Sequence, residues 1–548
     1  MPAYDLTKPV DLFMHAQGTG PMRSNRPVYV DFMPPCNSAC PAGENIQAWM
    51  DLAQAGEYYE AFQTILQDNP FPSVMGRVCV RPCETGCNRN HIDTTVNIHA
   101  AERFIGDLAI EQKWKARYSA KPSGKKVLVV GAGPSGLSAA FHLKKMGHEV
   151  EIYDENDQAG GLMHMGIPDY RLPKAVLESE IDRIIEMGVK INLNHKVTDL
   201  LKAKETGGFD AIYLAIGSQL IGCEPFIHDN SVTIIQAFSF FKGLKSNPGF
   251  FSGKRVAVYG GGKLALYIAR ILKRLGSEPF VYYHGDKTMM PAYDYETEDA
   301  IGEGVEVNLL RRISRIERQN IVFEVTRVEK GNLKGANEFE SRAADILILA
   351  HRQESDSTFL RSLENIALNE DGTVVTDAKK MTGRPGVFAG GDMLPGENRS
   401  ATIAIGHGKK AAKFIDAYLS NSAYIKPAKH PTVGYRKLHM WYKTVAPKKE
   451  QERLPPALAI RSFDEVIAGL VESEARFEAQ RCLSCGNCFE CDGCYGACPE
   501  DAIIKLGKGN RYEFNYNLCT GCSVCYEQCP CHAIEMIAEP TNSLNDAS

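Results

Sequence analysis

The placement of the cysteines constrains this chain more than any other feature. Of 17 in 548 residues, five lie between Cys36 and Cys87, eleven between Cys482 and Cys531, and Cys223 stands alone between the two groups. An odd number crowded into C-x2-C and C-x3-C spacings is not a disulfide framework; it points to metal or iron–sulfur ligation in a reducing compartment. The opening segment MPAYDLTKPVDLFMHAQ carries charges and a proline where a signal peptide needs an apolar run, and no stretch approaches the ~18–20 apolar residues of a membrane span. The expectation is a cytoplasmic protein without a membrane span. A net charge of −5 leaves no basic footprint for nucleic acid.

The C-terminal cysteines form two copies of one pattern. Cys488-x2-Cys491-x2-Cys494-x3-Cys498-Pro499 is followed by Cys519-x2-Cys522-x2-Cys525-x3-Cys529-Pro530. In the bacterial ferredoxin run three close thiolates hold one cubane and the fourth reaches the other cluster. The expected sets are Cys488, Cys491 and Cys494 with Cys529, and Cys519, Cys522 and Cys525 with Cys498. Zinc ribbons also use C-x2-C, but not eight cysteines in this duplicated pattern with a proline after each fourth.

Between the cysteine groups the chain reads as nucleotide-binding fold. KKVLVV, from Lys125, feeds GAGPSG, a helix (LSAAFHLKKMG) and the strand HEVEIYD, a βαβ unit. Gly131, Gly133 and Gly136 let the backbone turn and approach a pyrophosphate, and Asp154, eighteen residues on, can accept from ribose hydroxyls. A tight strand-to-helix turn without ligand is the bland alternative. A second unit starts at Lys254 (KRVAVYGGGKLALYIARILKRLG, then SEPFVYY), with Gly260, Gly261 and Gly262 in its loop. DILILA and GVFAGGD are further buried-type strands, and Gly390, Gly391 and Asp392 end the latter before a helix whose N-terminus suits a phosphate or flavin edge. Near the N-terminus, Trp49, Leu52, Tyr59, Phe62 and Leu66 recur at helical spacing and read as core packing. Residues 421–460 are rich in Pro and Lys without periodicity and read as a crossing linker. The lone histidines, such as His407, make no catalytic constellation.

GGLMHMGIPDYRLP (160–173), the paired βαβ units, VFAGGD and the N-terminal cysteines together resemble the small subunit of glutamate synthase and its relatives. These include the electron-input half of dihydropyrimidine dehydrogenase and related NAD(P)H:acceptor flavoproteins. The resemblance spans roughly residues 30–420, and the appended ferredoxin module is similar to that of relatives ending in RCLSCGNCFECDGCYGACP. It implies a multidomain α/β protein: a helical N-terminal iron–sulfur domain (1–120), an FAD-binding domain in two parts (121–235 and 353–420), an NAD(P)-binding domain (236–352), a linker (421–480) and a ferredoxin-like α+β domain with two [4Fe–4S] clusters (481–548). It implies FAD held by Gly131, Gly133, Gly136, Asp154, Gly161, Leu162, Arg171, Gly391 and Asp392. It implies NAD(P)H at Gly260, Gly261 and Gly262, with Lys263 and His284 beside it.

The same resemblance implies ligands for two N-terminal clusters. Cys36-x3-Cys40 and Cys79-x3-Cys83-x3-Cys87 are similar to the family's ligands, but the family's leading C-x2-C pair is missing before Cys36. EAQRCLSC (478–485) resembles the segment that carries it. The expected sets are Cys36, Cys87, Cys482 and Cys485 for one cluster, and Cys40, Cys79, Cys83 and Glu102 for the other, with an ordinary helix carboxylate as the alternative for Glu102. Four clusters then use sixteen ligands and leave Cys223 and Cys531 over.

The second nucleotide site departs from the family. Lys263 and Tyr267 stand where relatives carry Asp or Asn and then Asp, His284 and Gly285 stand where paired arginines clamp a 2′-phosphate, and AHRQ (350–353) replaces a small-residue turn. Lys263, Lys287 and Arg352 remain as other sources of charge for a phosphate. The expected function is an NAD(P)H:acceptor oxidoreductase subunit. It would serve a larger catalytic partner of the glutamate synthase or 2-oxoacid:ferredoxin oxidoreductase kind, or a ferredoxin. A non-catalytic cluster-to-cluster scaffold with a silent second site is the alternative, and flavin-based bifurcation a third.

Overall fold

The strand Lys126–Val130 is buried over four of its five residues, as expected where helices cover both faces of a parallel sheet. A computed structural model describes residues 23–218, 220–221, 226–351, 353–396 and 399–540; Cys223, Arg352 and the opening segment read for export lie outside them. Around that strand five parallel strands run in the order Val387–Ala389, Ala211–Leu214, Lys126–Val130, Glu149–Tyr153, Lys190–Asn192. Strand Lys126–Val130 turns into helix Pro134–Lys145, which packs along helix Ala401–Leu419. Their axes come close because Gly408 faces the Ser135 carbonyl oxygen, where any Cβ would collide.

The second half repeats this plan. Its parallel sheet has the order Glu306–Asn308, Glu278–Tyr282, Arg255–Tyr259, Ile346–Leu349, Thr233–Gln236. A smaller sheet, formed mainly by Arg311–Glu317, Asn320–Glu329 and Asn332–Ala343, leans on it through Tyr282 and Phe323, whose rings stack at 3.8 Å. Helix Lys263–Arg274 is pinned from beneath by Glu303, which accepts from both Arg270 and Arg274 at 2.6 Å.

The N-terminal helices enclose Trp49, Phe62 and Phe71, all fully buried. The patterned stretch from Ile46 is two helices, Ile46–Ala55 and Tyr58–Ile65, broken at Gly56, whose φ of 85° caps the first and favours glycine. Trp49, Phe62 and Leu66 of the stripe are buried, and Leu52 and Tyr59 are half-buried.

The C-terminal module holds short helices Gly493–Ala497 and Val524–Gln528, a hairpin of Ile503–Lys505 with Tyr512–Phe514, and a last strand, Ile534–Ala538. That last strand pairs antiparallel with Asn25–Tyr29, so the start of the described chain completes a module 500 residues downstream. Arg23 fastens the joint, reaching Glu539 at 2.7 Å and the carbonyl oxygens of Tyr516 and Cys519. The segment read as linker is irregular up to Pro455 apart from the short turn of helix Tyr435–Lys437, but its last part is helix Glu472–Gln480, packed on the N-terminal helices. No helix among the described residues is long and apolar enough to cross a membrane.

Candidate functional site

The two glycine loops face one cleft of about 990 Å³, at the upper end of the ~300–1,000 Å³ usual for ligand sites. Gly131, Gly133, Asp154, Gly161, Leu162, Gly391 and Asp392 line it from the first half, and Gly261, Gly262, Lys263 and His284 from the second. Gly131 has a φ of 107° and presses on the Ala215 carbonyl, so the loop needs glycine there. A Cβ on Gly133 or Gly262 would meet nothing within 4 Å. Each loop thus leaves open space over the start of a helix, which is what a pyrophosphate between helix N-terminus and strand ends requires. Gly136 and Gly260 are not on the cleft wall; a Cβ on them would strike the carbonyl oxygens of Gly131 and Ala350, so they serve the close strand-to-helix turn.

The carboxylates differ in their work. Asp154 ties its own loop, accepting from the Ala132 N–H at 2.6 Å and from Asn156 at 2.8 Å, and still borders the cleft. Asp392 accepts from the Ser218 hydroxyl at 3.0 Å, and burial raises its pKa above the usual carboxylate value. Arg171 departs from the expectation. It does not line the cleft; its guanidinium is buried against Tyr295, donating to that hydroxyl at 3.4 Å, because the 160–173 turn buries Tyr170 and carries the next side chain toward the second half. Lys263 lies over the Tyr293 ring at 4.9 Å, and burial lowers its pKa. Tyr267, where relatives carry Asp, donates to Glu296 at 3.0 Å and is buried. The His284 ring lies tilted against Tyr283 at 4.5 Å and meets His351 edge-on at 4.9 Å.

The same cleft touches the N-terminal cysteine loops: Pro41, Val78, Val80 and Pro82, chain neighbours of Cys40, Cys79 and Cys83, form part of its wall. Those three cysteines are mutual electrostatic neighbours, with Glu102 beside Cys40 and Cys79. Glu102 is buried and accepts from Asn69 at 2.8 Å, which sets it apart from an exposed helix carboxylate. Next to this group, Cys36, Cys87, Cys482 and Cys485 line one small cavity. The joint that brings Cys482 and Cys485 there is a buried ionic network. Arg481 reaches Glu478 at 2.8 Å, Asp93 at 3.1 Å and the carbonyl oxygens of Thr94, Thr95 and Ala446, while Arg89 holds the other side of Asp93. Glu478, fully buried, also accepts from the backbone N–H groups of Asn97 and Lys449. Helix Glu472–Gln480 therefore delivers the C-x2-C pair to the first domain in place.

In the C-terminal module Cys498, Cys519, Cys522 and Cys525 line a further cavity, and Cys488, Cys491 and Cys494 gather with Cys529. Tyr442 is within electrostatic reach of Cys485, Cys491 and Cys529, and Cys494 of Cys525. Electrostatic contacts thus link each group to the next: Cys83 with Cys36, Tyr442 with Cys485 and Cys491, and Cys525 with Cys494.

The donor chemistry fits iron–sulfur clusters. Burial pushes the Cys482 and Cys494 thiols up to about 11 and Cys525 up to about 12, because grouped thiolates taken out of water need a cation to offset their charge. No three His, Cys, Asp or Glu side chains among the described residues converge on a single metal ion. A cubane does not ask for that, since each thiol meets its own iron at a separate corner. Donors to sulfur surround the groups: Thr402 Oγ1 to Cys79 at 3.1 Å, Asn88 Nδ2 to Cys485 at 3.6 Å, and the Ala502 and Ala533 N–H groups to Cys498 and Cys529 at 3.3 and 3.2 Å. Such bonds tune cluster potentials. Sequence reasoning missed Thr402 and Asn88, which lie 323 and 397 residues from the sulfurs they serve and carry no local signal. Cys531, read as spare, has its sulfur 3.8 Å from that of Cys529.

Comparison with known proteins agrees with these features. Residues 106–408 match the pyridine nucleotide-disulphide oxidoreductase family, residues 23–114 the dihydropyrimidine dehydrogenase domain II, 4Fe-4S cluster family, and residues 512–535 the 4Fe-4S binding domain family. The chain is 31% identical to the NADP(+)-dependent formate dehydrogenase subunit beta of Moorella thermoacetica over 82% of its own length and 70% of that protein. It is 30% identical to the NADPH-Fe(3+) oxidoreductase subunit beta of Geobacter sulfurreducens, over 82% and 75% of the two chains. It is also 30% identical to the glutamate synthase [NADPH] small chain of Escherichia coli, over 70% and 89%. With a cleft shared by two glycine loops and cysteines gathered in groups of cluster type, the chain belongs to the pyridine nucleotide-disulphide oxidoreductase family and is an oxidoreductase of FAD, NAD(P)H and [4Fe–4S] clusters.

Proposed function

We propose that the chain is the electron-transfer subunit of a larger oxidoreductase, carrying electrons between NAD(P)H and a catalytic partner, in the cytoplasm. The observation that carries this reading is that one cleft holds both glycine loops and is walled by the neighbours of Cys40, Cys79 and Cys83. When bound, FAD supplies the exchange of an electron pair for single electrons, and the clusters relay those electrons one at a time. The chain's own residues position and shield. Gly131, Gly133, Gly161, Leu162, Gly391, Asp154 and Asp392 hold the flavin nucleotide, and Gly261, Gly262, Lys263 and His284 the nicotinamide nucleotide. Four ligand sets lead outward: Cys40, Cys79, Cys83 and Glu102; Cys36, Cys87, Cys482 and Cys485; Cys488, Cys491, Cys494 and Cys529; Cys498, Cys519, Cys522 and Cys525. The partner docks near the last two. Similarity to the beta subunits of a formate dehydrogenase and of an NADPH-Fe(3+) oxidoreductase supports a multi-subunit setting.

A second reading rests on the second glycine loop. Lys263 and Tyr267, the latter donating to Glu296, occupy the positions where relatives carry Asp or Asn and then Asp, and no guanidinium pair stands at His284–Gly285. A silent site would make the chain a cluster-to-cluster scaffold. Anaerobic stopped-flow mixing of the oxidised holoprotein with NADH and with NADPH separates the two: bleaching of flavin and then cluster absorbance by either nucleotide is expected, and bleaching by neither establishes the scaffold.

A further inference from the structure

Away from the cleft, a cavity of about 70 Å³ lies where the N-terminal helices, the 160–173 turn, the second half and the segment 448–467 meet. By a measure in which one water needs ~10–15 Å³, it has room for about five heavy atoms. Seven cationic side chains and three carboxylates line it. Five of the cations are neutralised: Arg77 by Asp107, Arg103 by Glu465, Arg270 by Glu303, Arg453 by Asp299 and Lys448 by Glu84. The other two, Arg81 and Arg171, make no ion pair among the described residues and share the face of one ring, Tyr295, at 5.0 and 5.7 Å. Arg171 is only 9% exposed, and the carboxylate in its electrostatic reach, Glu296, forms no ion pair with it and already accepts from Tyr267 at 3.0 Å, so the two guanidinium groups against one aromatic ring repel each other.

A second observation converges on the same place. Among the described residues nine buried side-chain nitrogen or oxygen atoms lack a hydrogen-bond partner, and three of them, Tyr170 Oη, Arg171 Nε and Asn97 Oδ1, belong to residues lining this cavity. Buried polar groups are rarely left unpaired because each then loses its hydration without compensation, so their concentration at one cavity marks a site that takes a polar occupant. Two of the three are donors, and the two lining side chains without an ion pair are cationic. We propose that this cavity is a binding site for a small tetrahedral oxyanion, inorganic phosphate or sulfate, held by Arg81, Arg171 and the Tyr170 hydroxyl. The anion would bridge the cluster-bearing helices to the second half, since Tyr170 also lies under the guanidinium groups of Arg270 and Arg274 at 4.7 and 4.0 Å.

Titration calorimetry of inorganic phosphate into the holoprotein, prepared in a chloride buffer free of other oxyanions, tests this. One saturable site is expected, weakened roughly tenfold in Tyr170→Phe, which keeps the ring and removes the donor. Phosphate should also raise the melting temperature of the parent more than that of Tyr170→Phe. Lys263→Ala, in the nucleotide cleft, should leave phosphate binding unchanged. Absence of saturable binding, undiminished affinity in Tyr170→Phe, or loss of binding in Lys263→Ala would overturn the proposal.

Discussion

The two groups of cysteines are built in opposite ways. The C-terminal eight lie within 42 residues, on two short helices and their flanking loops, so local folding alone brings them together. The N-terminal groups draw on both ends of the chain, with Cys482 and Cys485 arriving beside Cys36 and Cys87 from some 400 residues away. A contiguous set needs only the right turns. A split set needs a fixed joint, and the molecule supplies one in the buried Arg481, Glu478, Asp93 and Arg89 network. The gain from the split is that a mobile appendage becomes a docked one: the ferredoxin module starts where the borrowed pair ends, so it is tethered three residues from Cys485.

The comparison is broken most severely at the joint. Arg481→Ala leaves Glu478 buried without its cation, and removing one partner of such a pair costs about 3–5 kcal/mol. Chemical denaturation should show that loss. Iron analysis should show iron leaving the N-terminal groups while the two ferredoxin-type clusters persist. Removal of the tie on the contiguous side should do less. Arg23→Ala deletes bonds to Glu539 and to the carbonyl oxygens of Tyr516 and Cys519, a loss of about 1–3 kcal/mol for a buried charged donor. Under the proposed assignment every ligand of that module comes from within it, so hydrogen exchange should quicken in Asn25–Tyr29 and Ile534–Ala538 while iron content stays unchanged.

What could be read from the sequence follows the same division. The two ferredoxin runs and the two βαβ units were legible because their chemistry sits in consecutive residues: cysteine spacing in one case, an apolar run into a glycine loop in the other. The borrowed pair was legible only through resemblance, since nothing in EAQRCLSC itself says which partners it meets. The pairing of Asn25–Tyr29 with Ile534–Ala538 left no sign, because a five-residue strand at an edge carries too little pattern to announce its neighbour. Arg171 shows the limit of reading a role from position in a motif. The turn is where the motif puts it, but packing of Tyr170 beneath Arg270 and Arg274 turns the next side chain away from the cleft. Helix Glu472–Gln480 was read as linker because a nine-residue helix with four glutamate and arginine side chains and few apolar ones has little amphipathic signal; its stability comes from what it docks against.

Iron and acid-labile sulfide counted in the anaerobically purified Cys482→Ser/Cys485→Ser double variant test the shared cluster most directly. Four cubanes give about sixteen irons per chain, and the account predicts about twelve in the variant, with the ferredoxin-type signals retained in the electron paramagnetic resonance spectrum. An iron content and spectrum identical to the parent protein would contradict it.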